Sequence, residues 1–201
     1  LPGPLAEVEV GVRGPLEGRA ADLVANAALA GILSGVVDDP VNPVNAPVLA
    51  RQKGIQYRVT RRRDGDASMV EIRAGDRERV RSIAGYLTTL GQPRIAEIDG
   101  LPLDIAPAPH MLLDFHEDRP GIIGRIGTIL GEHGINIASM FVGRHQAGGK
   151  AVLVLTVDDP VPPEVLEELR RVPAVKQLRS IVLPPHLVGG GWNGKAAGAG
   201  R

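Results

Sequence analysis

The chain has 201 residues, no cysteine, and 23 basic against 23 acidic side chains, giving a formal net charge of zero. That length suffices for two modest cores; the missing cysteine excludes disulfides and cysteine-ligated metal sites, and the charge balance leaves no electrostatic footprint for nucleic acid. No apolar run reaches membrane-spanning length and Leu1 opens no signal peptide, so a soluble, cytoplasmic product with no membrane partner is expected.

Aromatic residues are scarce, with two Phe, two Tyr and one Trp, so the cores must be built from Ile, Leu, Val and Ala. Val8, Val10 and Val12 alternate within Ala6 to Gly14 and predict a strand. Arg19 to Leu33 is expected to be helical, with Leu23, Ala27, Ala30 and Leu33, or else Ala28 and Leu29, turned toward the core. Asn42 to Pro47 carries two prolines and leads into a short helix from about Ala46 to Gln52. Ile55 to Arg63 and Ala67 to Ala74 have the pattern of a hairpin turning at Asp64-Gly65. Arg79 to Thr88 and Arg94 to Ile98 are further strands, followed by Leu101 to Ile105, and Pro107-Ala108-Pro109 is a linker.

The second half opens with a strand at Leu112 to Phe115. Pro120 suits the first turn of a helix that Asp118 can cap, and Ile122, Ile126, Ile129 and Leu130 form its buried stripe. Gly134 supplies a left-handed stop. Gly124 and Gly127 each cost roughly 1 kcal/mol relative to alanine inside that helix, which points to close approach of another backbone, such as a second subunit's. Asn136 to Arg144 is a second strand, residues 145–149 a hairpin turn, and Ala151 to Val157 a third strand apolar enough for burial on both faces. Pro163 opens a helix with Val165, Leu166, Leu169 and Val172 on one side, and Val175 to Leu183 is the fourth strand. The order βαββαβ is the split ferredoxin-like unit. His116, Asp118 and Asn136 are expected to meet above its sheet, a polar set suited to a small zwitterion.

The expected class is thus α+β in two domains: residues 1–106, a linker at 107–109, residues 110–184, and a disordered Gly-rich tail over 185–201 that includes Trp192. Asp118-Arg119-Pro120-Gly121, Ile126-Gly127-Thr128-Ile129-Leu130, Gly134-Ile135-Asn136-Ile137, and Gly143-Arg144 before Gly148-Gly149 make residues 110–184 resemble an ACT domain, a regulatory module that binds amino acids between two copies. Gly31-Ile32-Leu33, residues 41–50 from Val41-Asn42-Pro43 to Leu49-Ala50, Lys53-Gly54-Ile55, Gly91-Gln92-Pro93-Arg94-Ile95 and Ile98-Asp99-Gly100 resemble the intervening domain of long-form D-3-phosphoglycerate dehydrogenases.

The resemblance implies the C-terminal regulatory portion of this serine-pathway family, with L-serine as the feedback ligand, a homodimer or homotetramer, and the catalytic domains of a parent enzyme as partners. It implies ligand contacts from His116, Asp118 and Asn136, with Gly121 and Ile122 at the helix N-terminus, and an anion-binding role for Arg94; the Arg61, Arg62 and Arg63 run is expected instead to be a solvated hairpin face. Left open are a module that only assembles, with no effector, and the ACT part of another amino-acid enzyme. No G-x-G-x-x-G joins a strand to a helix, so no cofactor is expected on this chain; NAD belongs to the implied parent, and the chain alone should be inactive. No catalytic residue is expected here. His133 and His145 lack the carboxylate or thiolate company of a metal site and are expected to be solvated; His110 and His186 are incidental.

Overall fold

A computed structural model describes residues 5–15, 18–63, 68–76, 79–184 and 188. Its described residues form two compact units: one contains the chain up to Leu87 together with Arg94–Asp104, the other Thr88–Pro93 together with the chain from Ile105 onward. Both are mixed α and β, so the class is α+β.

The first unit runs β1 (Glu7–Arg13), α1 (Gly18–Leu33), α2 (Ala46–Gln52), β2 (Gln56–Arg62), β3 (Met69–Gly75), β4 (Val80–Leu87), β5 (Pro93–Ile98) and β6 (Leu101–Ile105). Its sheet has the order β2-β1-β3-β4-β5-β6. β1 pairs with β2 in parallel, Val10 opposite Val59, and with β3 antiparallel, Val10 opposite Ile72. The expected β2–β3 hairpin is therefore absent among the described residues, and its turn at Asp64-Gly65 lies outside them. The reason is the helical crossover. A strand reached through α1 and α2 returns parallel to β1 on one side, and β3 takes the open edge on the other, so β1 has ladder partners on both sides. Val8, Val10 and Val12 alternate inward and are at most 2 % exposed.

On α1 the buried face is Ala21, Ala25, Leu29 and Leu33, whereas Leu23 is 61 % exposed. The expected face is thus wrong for Leu23 and Ala27. This helix is apolar on nearly every side, so periodicity alone does not choose among its faces. Two exchanges tie α1 to β2: Arg61 pairs with Asp22, and the Tyr57 hydroxyl donates to Asn26 Oδ1 at 3.1 Å. Burial, with Asp22 adding repulsion, pushes the Tyr57 phenol from 10.0 up to about 12. Because the folded value is raised, the neutral phenol stabilises the fold below pH 10.0, and this contribution is lost as pH rises toward about 12. Tyr57→Phe should remove that part of the alkaline loss in urea unfolding measured against pH; an identical alkaline decline would contradict the assignment.

The second unit runs β7 (His110–Glu117), α3 (Ile122–Glu132), β8 (Ile137–Arg144), β9 (Lys150–Val157), α4 (Pro163–Arg170) and β10 (Arg179–Val182). The sheet order β10-β7-β9-β8 is that of the ferredoxin-like unit. Leu112, Leu153 and Leu155 from the sheet meet Ile122, Ile126, Ile129 and Leu130 of α3 and Val165 and Leu169 of α4 in one core, as the stripe predicted. Ala151 to Val157 are all buried. The last strand is shorter than expected: Val175 forms only an isolated bridge to His116, residues 176–178 are not strand, and the ladder with β7 begins at Arg179. Apart from Val188, the tail from Pro185 onward, with Trp192, lies outside the described residues.

Helix α3 begins at Ile122 rather than at Pro120. Its N-cap is Gly121 at φ 90, a left-handed value open to glycine, and no side chain caps it. Asp118 is therefore not the cap. Gly134 does take the left-handed φ of 70 that ends the helix. No helix among the described residues is long and apolar enough to cross a membrane.

Candidate functional site

The segment from His116 to Gly121 leaves the end of β7, and the elements around it decide what each side chain can do. Asp118 is fastened to the β8–β9 turn. Its carboxylate accepts from the Arg144 guanidinium and, at 3.2 Å, from the Gly148 N–H, while its own N–H donates to the Gly149 carbonyl at 2.9 Å. Arg144 and Gly148 together hold the Asp118 carboxyl below the usual carboxylate range. A lowered folded value means that the bond stabilises above the ordinary 3.8 and is lost as pH falls through the lower folded value. Arg144→Ala should return the Asp118 carboxyl toward its ordinary value in an NMR titration; an unmoved titration would contradict the pairing.

Asn136 stands just before β8, where its Nδ2 donates to Asp158 Oδ2 at 2.7 Å and its carbonyl accepts from the Asp158 N–H at 3.2 Å. Gly121 is exposed at the start of α3 and borders an open groove with Arg125, Thr128, Glu132, Glu168 and Arg171. The Ile122 side chain points into the core at 6 % exposure, which leaves only its backbone for a ligand. His116 is buried. Its Nδ1 lies 3.3 Å from Asp114 Oδ2, with both side chains 1 % exposed. Neither Asp114 oxygen nor His116 Nδ1 has a hydrogen-bond partner among the described residues.

These residues do not all meet within one chain. His116 and Arg144 both lie opposite Ala151 on β9, whereas Ile137 and His110 lie opposite Val157. At about 3.4 Å per residue, Asn136 is roughly 20 Å along the strand direction from His116 and Asp118, at the opposite end of the sheet. The expectation that all three converge above one sheet is corrected accordingly. Both β7 and β8 run antiparallel to β9, so the starts of the first two strands share one end and their finishes the other. Sequence reading also missed Asp114 and the Arg144–Asp118 bond. The alternation of Leu112, Asp114 and His116 on one strand face was the available signal for the former.

In the first unit, Arg94 is already engaged. Its Nε donates to Asp104 Oδ1 at 2.7 Å and its Nη2 to the Asp104 carbonyl at 2.6 Å, with Tyr86 donating to the same carboxylate at 3.2 Å. The carboxylate raises the Arg94 value and is itself lowered by the guanidinium. Arg61 and Arg62 belong to β2 at the far edge of that sheet, with β1, β3 and β4 between them and Arg94. His133 pairs with Glu168 at 2.9 Å, and no cluster of metal-ligating side chains occurs among the described residues.

Residues 2–99 match the model of the D-3-phosphoglycerate dehydrogenase intervening domain, and residues 110–174 that of the ACT domain. The chain is 34 % identical over 184 residues to a D-3-phosphoglycerate dehydrogenase of Bacillus subtilis, covering 90 % of this chain and 35 % of the relative. Identity is 36 % over 186 residues with the enzyme of that name from Methanocaldococcus jannaschii, covering 91 % and 35 %. With that from Synechocystis it is 37 % over 160 residues, covering 78 % and 29 %. The chain thus spans about a third of the length of these curated relatives. Among solved structures, the ACT domain from GTP pyrophosphokinase of Chlorobium tepidum covers 36 % of this chain and 95 % of its own at 16 % identity and a TM-score of 0.30, too slight a likeness to carry an argument.

Proposed function

The chain belongs, domain by domain, to the D-3-phosphoglycerate dehydrogenase intervening-domain family and the ACT-domain family, and from that premise we propose that it is the regulatory and assembly portion of such an enzyme. In this reading the parent is an NAD-dependent dehydrogenase of L-serine biosynthesis, and L-serine binds between two ACT domains as its feedback inhibitor. The observation that carries the two-copy site is the separation of Asn136 from His116 and Asp118. One chain cannot bring them to one small ligand, but two can.

The edge of the sheet supplies the means. β8 is an outermost strand, and its middle residues Ala138, Ser139 and Met140 are exposed. A second copy laid antiparallel along β8 would set its Ile137 end, and so its Asn136, beside the Arg144 end where Asp118 sits. On the adjoining helix, no atom of the described residues, beyond the adjacent residues and the helix's own backbone, lies within 4 Å of a Cβ built on Gly124 or Gly127. Their cost in helix propensity thus has no packing return inside one chain, which supports a return across a subunit contact.

The chemistry suits an amino acid. Asp118 can accept from an ammonium, Asn136 both donates and accepts, and the free N–H groups beyond Gly121 favour a carboxylate. Regulation follows only if serine binds one of two arrangements of the assembled parent more tightly than the other. The alternative, a module that assembles without an effector, is favoured by a specific observation: Asp118 and Asn136 already have intrachain partners. Calorimetric titration of L-serine, with glycine and threonine alongside, decides between them. Saturable heat with serine that vanishes in Asn136→Ala is expected; no heat with any of the three, in a protein shown to be folded and dimeric, would leave assembly alone.

A further inference from the structure

Asp114 and His116 form a buried pair that neither the fold nor the site described above accounts for. Strand alternation places both on the face of Leu112, which packs beneath the helices in the core. Each side chain is 1 % exposed, so water does not compete for them, and the nearest polar atom pair is Nδ1 to Oδ2 at 3.3 Å. That contact does not itself meet hydrogen-bond geometry, so both Asp114 oxygens and His116 Nδ1 are without hydrogen-bond partners among the described residues.

An ionised carboxylate only accepts hydrogen bonds. If Nδ1 carried a lone pair, two acceptors would face each other in a dry interior, where an unmet polar group is most costly. A proton on Nδ1 turns that repulsion into a hydrogen bond and serves a carboxylate that has no other donor. We infer that Asp114 is a positioning residue for the ACT ligand site: it accepts Nδ1–H of His116, fixes that tautomer, and leaves Nε2 as a hydrogen-bond acceptor. The role of His116 at a ligand site rests on the function proposed above; the Asp114–His116 pairing does not.

The pairing sets a polarity for the ligand. A neutral ring held this way meets a donor, the ammonium or hydroxyl of an amino acid, and not its carboxylate. The carboxylate is then left to the N–H groups at the start of α3 or to Asn136 Nδ2. The arrangement is that of an outer acceptor holding a functional imidazole through its second nitrogen.

The test is nitrogen-15 NMR of the histidine rings in the full chain near neutral pH, with His116→Gln to assign the resonance. The parent should show the Nδ1–H tautomer. Asp114→Asn, which keeps an acceptor oxygen, should retain it. Asp114→Leu, which removes the acceptor, should shift the ring toward Nε2–H and weaken L-serine about tenfold or more, the scale seen when a metal-bound imidazole loses its outer partner. A parent ring with its proton on Nε2 alone, a doubly protonated parent ring, or an Asp114→Leu ring unchanged from the parent would each overturn the inference. Should Asp114→Leu fail to fold, the parent and Asp114→Asn spectra decide. A parent with the Nδ1–H ring that binds no amino acid would uphold the pairing and overturn the effector reading instead.

Discussion

Leu130→Ala should lower the stability of the ACT unit by about 2–5 kcal/mol, the range for emptying a fully buried leucine site. Leu130 has no exposed surface and belongs to the cluster that joins α3 to α4 and to the strands beneath them. Whole domains of this size are stable by only about 5–15 kcal/mol, so the loss consumes a large share of the margin. Urea unfolding should show an earlier midpoint with an unchanged slope for the transition of this unit. A shift below about 1 kcal/mol would mean that the core collapses around the vacancy and is less specifically packed than described. Gly131→Ala, one position along, is the internal control. Beyond the adjacent residues and the helix's own backbone, no atom of the described residues lies within 4 Å of its added Cβ, so it should leave that transition unchanged or raise it by up to about 1 kcal/mol.

Much of this unit was legible from local rules. The stripe Ile122, Ile126, Ile129 and Leu130, the left-handed stop at Gly134 and the apolar third strand each followed from a spacing or a backbone preference, and all three stand in the structure. Other features depend on which elements become neighbours, which spacing does not encode. The Asp64-Gly65 signal suggested a hairpin, but β1 lies between β2 and β3. Helix α1 is apolar on several faces, and only the sheet selects Ala21, Ala25, Leu29 and Leu33. Asp118 looked like a cap because it precedes a helix, yet Arg144, 26 positions later, holds its carboxylate.

The geometry around the candidate residues was not legible in the sequence. His116, Asp118 and Asn136 are close in sequence, which suggested convergence. Pairing through β9 instead carries Asn136 to the other end of the sheet, and that fact makes a second copy necessary for a site using all three. The Arg61–Arg62 edge of the sheet does not join Arg94 in one anion site. Three intervening strands separate Arg94 from β2, and Asp104 already holds the Arg94 guanidinium.

The central claim is therefore that each serine site takes His116 and Asp118 from one chain and Asn136 from another. Mixing two inactive variants tests it directly. Asp118→Ala and Asn136→Ala should each fail to bind L-serine in calorimetry while remaining folded and dimeric. After subunits exchange between them, half of the dimers are mixed under random pairing, and each mixed dimer has one intact site and one doubly altered site. The account predicts that serine binding returns with about a quarter of the parental stoichiometry and near-parental affinity, the fraction that closed two-fold symmetry requires. No recovery after demonstrated exchange, between variants that each bind nothing alone, would contradict the account.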